Sequence, residues 1–277
     1  MPKPTQRVKN VIAFIEQLIV PSGKGAGKLF KLTKFEKLFI QAVYGPVDSK
    51  LMRRIVRRAI LSMARKNGKT AFIACLALTH LVGPEAVRNG EIYSAATERE
   101  QAALIFKYAA QIVRADPELE SYLKIIDSTK TMICFSNGSV YRAISSEAGS
   151  KMGYNPTVVI YDELAQAKNR ELYDALDTSM GARMGEGEEP LFIVISTQAK
   201  DPQHILSQLI DDGLRGNDPT TVCHLYEIPE KLDVFDQKNW KLANPALGDF
   251  RSRSEMKTAA KRAQRMPTFE AAFRNLY

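Results

Sequence analysis

Two short stretches of the chain are apolar at almost every position, and they constrain the fold more than any other feature of the sequence. They are TVVIY at residues 157–161 and LFIVI at residues 191–195. A strand with one face in water would alternate polar and apolar side chains, and neither stretch does so. Unbroken apolar runs of this length are typical of strands that are covered on both faces, as in a parallel sheet. The two stretches therefore predict strands of a buried, largely parallel sheet.

Further strands and helices alternate along the first two thirds of the chain. The apolar residues predict helices over residues 35–43, 72–82 and 98–114, and strands over residues 58–64 and 91–96. Asn137-Gly138 is a strong hairpin signal, and it separates two strand-like segments at residues 131–135 and 139–144. Strands that alternate with helices favour an α/β fold with a mostly parallel sheet flanked by helices.

The pattern of residues along the chain changes after residue 201. Helical patches there alternate with Gly-, Pro- and Asp-rich connections such as GLRGNDP and NPALGDF. Residues 252–277 predict two helices separated at Pro267. We therefore expect a core over residues 1–200 and a smaller helical unit over residues 201–277.

The composition is that of a globular chain with a basic balance. The 277 residues carry a formal net charge of +8, and the longest strongly apolar stretch, residues 72–82, is too short to span a bilayer. The three cysteines show no Cys-x-x-Cys spacing, which argues against a zinc site or a disulfide framework. The positive charge favours a polyanionic partner, although solvated helix faces are the alternative. It is concentrated in Arg53, Arg54, Arg57 and Arg58 and in Arg251, Arg253, Lys257, Lys261, Arg262, Arg265 and Arg274.

The segment ARKNGKT at residues 64–70 lies between a predicted strand and a predicted helix. A strand–loop–helix unit directs backbone N–H groups and a helix N-terminus toward one point, which suits a polyphosphate. Gly68 lets the backbone approach closely, Lys69 can reach the β- and γ-phosphates, and the Thr70 hydroxyl can bind Mg²⁺. The usual pattern has a glycine where this chain has Met63. An ordinary basic helix N-terminus is the alternative, but the flanking strand and helix favour a phosphate loop.

Two adjacent carboxylates, Asp162 and Glu163, follow the first apolar strand. Ligands of open α/β sheets bind at the carboxyl ends of the strands. Asp162 would hold Mg²⁺ there, and Glu163 would polarise an attacking water as general base. The alternative is an acidic helix N-terminus.

Polar residues also follow the second apolar strand, as Ser196, Thr197 and Gln198. Hydroxyls and an amide at the tip of a central strand can contact the γ-phosphate or the attacking water. A helix cap is an equally good interpretation of these three residues on the sequence alone.

Together these motifs resemble those of a known family, the large terminase subunits of tailed bacteriophages. The segment ARKNGKT is similar to the family's divergent Walker A motif, VVIYDE to its Walker B motif with the catalytic glutamate, and ISTQ to its coupling motif. The segment IYSAATEREQA at residues 92–102 also fits, and WKLANP at residues 240–245 is similar to the family's linker subdomain. The resemblance runs from about residue 30 to residue 277.

The resemblance implies a P-loop NTPase fold of the RecA/ASCE type with a small helical linker subdomain, and Mg²⁺-dependent ATP hydrolysis. Asp162 and Thr70 would hold the metal, Glu163 would activate water, and Arg65 would sense the γ-phosphate. The family's adenine-contacting segment corresponds to Phe35 and Glu36, where the family often has a glutamine. The expected contacts to the phosphates of ATP are Arg65, Lys66, Asn67, Gly68, Lys69 and Thr70.

The resemblance also implies an assembly. A basic residue that acts on the neighbouring subunit's ATP corresponds to Lys151, with Arg142 as the alternative, and residues 196–198 would relay hydrolysis to the linker. The implied partners are double-stranded DNA without sequence preference, other copies of the chain in a ring, the procapsid portal and the small terminase subunit. The implied location is the host cytoplasm, with no membrane.

The family's nuclease domain, which uses a cluster of carboxylates, follows the linker. No acidic cluster of that kind is left unassigned in this sequence, and the resemblance therefore implies an isolated motor domain.

Two other functions compete with this interpretation. A superfamily-2 helicase or another P-loop nucleic-acid motor would need a second RecA-like domain, and the sequence after residue 201 shows too few strands for one. A DNA-binding protein with a degenerate, non-hydrolysing pocket would not need Lys69, Thr70, Asp162 and Glu163 together.

Overall fold

One eight-stranded sheet organises the computed structural model, which describes residues 3–23, 25–145, 153–185 and 188–277. A separate two-stranded hairpin consists of β1 (Val47–Asp48) and β2 (Arg53–Arg54). The strands of the large sheet are β3 (Arg58–Ser62), β4 (Glu91–Ala96), β5 (Leu123–Ile126), β6 (Thr131–Cys134), β7 (Val140–Ser145), β8 (Val158–Asp162), β9 (Leu191–Ser196) and β10 (Thr221–Leu225).

The strand order across the sheet is β10-β3-β9-β8-β4-β7-β6-β5. The six strands from β10 to β7 are parallel, and β6 and β5 complete the sheet in antiparallel pairing. Every residue of β8 and β9 is buried, so the two apolar runs are central strands as predicted. The predicted hairpin is also present, because β6 and β7 pair around Gly138, whose φ of +73° suits glycine.

Helices cover both faces of this sheet. In chain order they are α1 (Gln6–Gln17), α2 (Lys34–Tyr44), α3 (Lys69–Leu81), α4 (Arg99–Arg114), α5 (Pro117–Ser121), α6 (Glu171–Ser179), α7 (Gly181–Gly185), α8 (Ile205–Arg215), α9 (Trp240–Ala243), α10 (Arg253–Arg265) and α11 (Pro267–Leu276). Consecutive residues of β3 point into different cores, Ile60 toward α6 and α8 and Leu61 toward α1 to α4. The predicted α/β class is confirmed. No helix in the described ranges is long and apolar enough to cross a membrane.

The sheet continues beyond residue 200, where the sequence placed the end of the core. Strand β10 pairs with β3 along its whole length, and α8 packs against it. The sequence did not reveal β10 because it is an edge strand of mixed polarity, TVCHL, and four of its five residues are only half-buried.

A third hydrophobic core lies in the C-terminal region. It is built around Trp240, Leu247, Met256 and Phe273, and all its members come from positions beyond residue 226. The two predicted helices, α10 and α11, supply most of it, and they meet at Pro267 as expected. Residues 227–277 thus pack as a small helical unit of their own, which we call the linker subdomain.

Candidate active site

The phosphate loop connects β3 to α3 at the carboxyl edge of the sheet. Gly68 caps α3 in the left-handed conformation, with φ at +78°. The backbone angle favours glycine, and a Cβ at this position would lie 2.6 Å from two atoms of the Phe250 ring, which would have to move. The Gly68 backbone can therefore approach a ligand more closely than any other residue would allow.

Lys69 is buried at the start of α3. Its ammonium donates a hydrogen bond to the carbonyl of Met63 at 2.8 Å and lies 3.8 Å from Glu163 Oε1. Burial lowers the pKa of Lys69, and the charges of Glu163 and Asp162 partly offset this effect. The residue in the usual first-glycine position is therefore a buried methionine whose carbonyl orients the lysine.

The two carboxylates lie side by side at the end of β8. Glu163 is 9% exposed, and its Oε2 accepts hydrogen bonds from the backbone N–H and the hydroxyl of Thr197, each at 3.1 Å. Asp162 is 2% exposed, and burial, followed by the charge of Glu163, raises the pKa of Asp162 to about 6. Asp162 accepts a hydrogen bond from Gln101 instead. Each carboxylate therefore has a different partner, which fixes their orientations independently.

The polar residues at the end of β9 contact the turn that follows Glu163 and the linker subdomain. Ser196 accepts a hydrogen bond from the Ala165 N–H at 3.0 Å, in the turn that follows Glu163. Gln198 donates to Glu227 at 2.5 Å, at the entrance to the linker subdomain. Because β9 lies between β3 and β8, these residues connect the acidic pair to the segment that leads out of the core.

A cleft with a volume of about 1370 Å³ opens over the phosphate loop. Its walls include Arg65 and Thr70 of the loop region, Glu163 of the acidic pair, and Phe250 of the linker subdomain. Residues 28–34, which lead into the start of α2, line another side. The phosphate loop, Glu163 and the linker therefore meet at one cavity, whereas Asp162 is buried beside it.

Two residues predicted to contact nucleotide have side chains that are bound elsewhere, although Asn67 still borders this cleft. Phe35 is buried and packs edge-to-face against Tyr226, because it lies on the core side of α2. Asn67 is fully buried, and its side-chain amide donates to Asn244 Oδ1 at 3.0 Å. The sequence predicted the helix and the loop, but the direction of these two side chains depends on distant packing.

Glu36 lies at the wall of the cleft but has a local partner. Its carboxylate accepts hydrogen bonds from the Thr33 N–H and hydroxyl, each at 2.7 Å, in a capping box at the start of α2. Burial raises the pKa of Glu36, and the charge of Asp249 acts in the same direction.

The remaining loop residues differ in their exposure. Arg65 is exposed at the cleft, and Thr70 is half-buried there. Lys66 also borders the cleft, but its ammonium forms an ion pair with Glu255 at 2.9 Å. Arg142 is exposed on β7, whereas Lys151 lies outside the described residues.

One residue of the site was missed by the sequence analysis. Gln101, in the first turn of α4, lines the cleft and donates a hydrogen bond to Asp162 Oδ2 at 2.6 Å. Its segment was recognised only as a family-like stretch. The available signal was its place just after a predicted strand, at the edge where parallel strands end.

The basic residues separate into distinct groups in the structure. Arg54 is buried and donates to the carbonyls of Val56 and Glu189, and Arg58 pairs with Asp177 at 2.7 Å. These two arginines therefore stabilise the fold and are not free to contact a partner. Four basic residues instead form an exposed row along α10 at intervals of four residues, namely Arg253, Lys257, Lys261 and Arg265.

Comparison with known proteins identifies the family. Residues 34–212 match the model of the terminase large subunit ATPase domain. The chain is 45% identical over 274 residues to the terminase large subunit of Enterobacteria phage HK97, covering 98% of this chain and 52% of that protein. It thus spans about half the length of that relative.

The fold agrees with this comparison. The crystal structure of the HK97 large terminase matches with a TM-score of 0.87 at 44% identity, over 98% of this chain and 55% of that one. The ATPase domain of the Thermus phage P74-26 large terminase matches with a TM-score of 0.59 at 16% identity, over 89% of this chain and 98% of that one, which shows a shared fold. The chain therefore belongs to the terminase large subunits, and it contains their ATPase domain.

Proposed function

We propose that this cleft binds ATP with Mg²⁺ and hydrolyses it, and that hydrolysis drives the translocation of double-stranded viral DNA into a procapsid. The observation that carries the proposal is the opposition of Lys69 and Glu163 at 3.8 Å, above a glycine-capped helix N-terminus. A cation for the phosphates and a carboxylate for water thus face the same cavity. A nucleotide pocket that does not hydrolyse ATP would not need both Lys69 and Glu163.

In the proposed mechanism each group has one task. The Gly68 backbone and Lys69 hold the β- and γ-phosphates, and Arg65 senses the γ-phosphate from the exposed side of the loop. Glu163, oriented by Thr197, takes a proton from the attacking water. Ser196, Thr197 and Gln198 then relay the change toward the linker subdomain through the Gln198–Glu227 hydrogen bond.

The residues at the site fit a magnesium ion. Thr70 and Asp162 offer hard oxygen donors, and no three His, Cys, Asp or Glu side chains cluster as a metal site within the described part of the chain. Mg²⁺ suits such a sparse donor set, because it usually keeps several waters and is completed by substrate phosphates. When bound, the ion would neutralise charge that develops on the phosphates.

Two substitutions test the proposal. Lys69→Ala should lose nucleotide binding and hydrolysis together. Glu163→Gln should keep nucleotide affinity and lose turnover, because only the water-activating group has changed. Nucleotide affinity can be measured by calorimetry and turnover by phosphate release. If Glu163→Gln hydrolyses ATP at the wild-type rate, the assignment of the base is wrong, and if the wild-type chain releases no phosphate, with or without DNA, the hydrolytic function itself fails.

The proposed partners are DNA, further copies of the chain in a ring, the procapsid portal and the small terminase subunit, in the host cytoplasm. The exposed row of basic residues on α10 supports the DNA proposal, because phosphate contacts by Lys and Arg give affinity without sequence preference.

In such a ring, a cation from a neighbour would stabilise charge on the γ-phosphate. Lys151 is the candidate from sequence, and Arg142 is the alternative. Mixing inactive Lys151→Ala with inactive Glu163→Gln should partly restore ATPase activity, because some interfaces then combine an intact lysine with an intact glutamate. A mixture that stays inactive where the wild type assembles would exclude Lys151.

A further inference from the structure

The phosphate loop is bonded to a residue far away in the sequence. Asn67, immediately before Gly68, donates a hydrogen bond from Nδ2 to Asn244 Oδ1 at 3.0 Å, across a sequence separation of 177 residues. Its own Oδ1 accepts from the Ala246 N–H at 3.2 Å. Asn67 is fully buried, so water cannot replace either contact. The same Nδ2 also donates to the carbonyls of Ala64, at 3.1 Å, and Arg65, at 3.3 Å, within the loop. The Asn67 side chain therefore joins the loop to the linker subdomain.

Both polar atoms of the Asn244 side chain also have hydrogen-bond partners. It is fully buried, and its Nδ2 donates to the carbonyls of Trp240, at 3.0 Å, and Tyr277. Two carbonyl acceptors define where the amide nitrogen lies, so the oxygen of Asn244 must face Asn67. The orientation of the pair follows from the hydrogen-bond network alone.

Backbone contacts extend the same attachment. The N–H of Arg65 donates to the carbonyl of Leu276 at 3.0 Å, and the carbonyl of Arg65 accepts a hydrogen bond from the guanidinium of Arg251. The N–H of Ala64 donates to the carbonyl of Ala243 at 3.4 Å. The N–H groups of Ala64 and Arg65 thus find their partners in the linker subdomain. Ala243 and Arg251 are buried, and they belong to the same subdomain as the core around Trp240.

We propose that Asn244 is a positioning residue for nucleotide binding: through Asn67, it holds the phosphate loop in the conformation that directs the Gly68 backbone and Lys69 into the cleft. The inference rests on the proposed function of the cleft as the ATP site. Because Asn244 reaches the loop through Asn67, nucleotide affinity and docking of the linker subdomain are thermodynamically coupled. Such coupling is reciprocal, so bound nucleotide must also strengthen the docking.

The first test is the affinity for Mg·ADP of Asn244→Ala, measured by calorimetry. In this variant Asn67 keeps its bonds to the carbonyls of Ala64 and Arg65 but loses its bond to Asn244. We expect binding to weaken about tenfold, since the loss of one buried hydrogen bond corresponds to about 1.4 kcal/mol. Asn239→Ala is the matched control. Asn239 lies in the same short segment and donates to the Asp233 carbonyl at 2.9 Å, within the linker subdomain. This control should bind Mg·ADP within about twofold of the wild type.

A double-mutant cycle separates positioning from general damage. Asn67→Ala and Asn244→Ala interrupt the same hydrogen bond, although each also removes contacts of its own. The loss of affinity for Mg·ADP in the double variant should therefore be smaller than the sum of the two single losses. Two independent losses that add in the double variant would contradict the proposal. Because Asn67→Ala leaves the linker's own core intact, this variant also serves if Asn244→Ala does not fold.

The reciprocal effect provides a readout that a merely structural role would not change. In the wild type, Mg·ADP should slow hydrogen exchange at the backbone N–H of Asn244, which donates to the Trp240 carbonyl at 3.0 Å. In Asn67→Ala this response to nucleotide should disappear at concentrations that saturate the variant. If cooperatively folded Asn244→Ala binds Mg·ADP like the wild type, the proposal is overturned. If the wild type itself binds no Mg·ADP, the proposed function fails instead, and the two failures are thus distinguishable.

Discussion

The backbone of Glu163 lies in the left-handed region, with φ at +51°. That conformation costs a non-glycine residue on the order of 1–3 kcal/mol, and it persists only where the surroundings enforce it. Here the Glu163 N–H donates to the Ile195 carbonyl at 2.7 Å, and Thr197 holds the side chain. The sharp turn lets β8 deliver Asp162 and Glu163 to different partners although they are adjacent in the sequence. The orientation of Glu163 therefore depends on β9 as much as on β8, the strand that leads into it.

Glu36 provides a prediction about pH at the same scale. Burial raises the pKa of Glu36 above its ordinary value of 4.5, with Asp249 adding to the effect and Thr33 and Lys37 opposing it. The folded chain therefore keeps this proton in a range where the unfolded chain has lost it, so the contribution of Glu36 to stability falls as the pH rises through that range. Glu36→Gln removes the ionisation and keeps an acceptor for Thr33. We expect the stability of this variant, relative to the wild type, to increase as the pH rises above 4.5, the ordinary pKa of this group.

The measurement is the free energy of unfolding in urea at several pH values for both chains. Glu118→Gln, in the exposed first turn of α5, is the matched control for the loss of one negative charge. A stability difference between wild type and Glu36→Gln that does not change with pH would show that the buried carboxyl does not titrate as stated.

At the scale of elements, β9 is the strand that joins the site together. It lies between the strand that precedes the phosphate loop and the strand that ends in the acidic pair, with Ser62 of β3 paired to Ser196 of β9. Both serines are fully buried. Ser196 accepts the Ala165 N–H, whereas Ser62 Oγ has no hydrogen-bond partner within the described residues. Serine-to-alanine substitution can therefore be compared in two neighbouring strands. At Ser196 it removes a contact to the turn after Glu163, and at Ser62 it removes a hydroxyl that has no partner among the described residues.

Ser196→Ala should lower kcat for ATP hydrolysis about tenfold, because an unpaired buried N–H at Ala165 costs about 1–3 kcal/mol and displaces the turn that carries Glu163. The KM for ATP should change less, since Lys69 and the phosphate loop are untouched. Ser62→Ala should leave both parameters within about twofold of the wild type, because it removes a hydroxyl without a partner. Steady-state kinetics of the two variants decide the matter, and equal losses in both would reject the role given to Ser196.

The elements also show which parts of the molecule the sequence could predict. The central strands and the strand–loop–helix unit were predictable because their signals are local, an apolar run or a glycine before a helix. Strand β10 was not, since an edge strand needs neither an apolar run nor strict alternation. The side-chain directions of Phe35 and Asn67 were not predictable either, because Tyr226 and Asn244, which determine them, are distant in the sequence.

At the scale of the whole molecule, positive charge is concentrated on the linker subdomain. Arg253, Lys257, Lys261 and Arg265 follow one another at four-residue intervals along α10, and all four are exposed. Residues spaced in this way lie on one face of a helix, and here they span roughly 18 Å. None of the four forms an ion pair with another described residue. Charged residues beside this row do have partners within the chain. Arg262 stacks on the Phe269 ring at 3.6 Å, and Glu255 forms an ion pair with Lys66.

This row predicts the salt dependence of DNA binding. If the four side chains contact phosphates, replacing all four with glutamine should weaken binding to duplexes of any sequence. It should also reduce the slope of log K against log salt by about 3 to 4, because each phosphate contact contributes about 0.9. A control variant replaces the exposed lysines Lys9, Lys50, Lys107 and Lys124, all outside the linker subdomain, with glutamine, and it loses the same number of charges from a net charge of +8. Fluorescence anisotropy with two unrelated duplexes at several salt concentrations measures both quantities. Equal changes in slope for the two variants would mean that net charge alone attracts DNA, whereas a loss confined to the α10 variant would place the DNA on the same subdomain that holds the phosphate loop through Asn244.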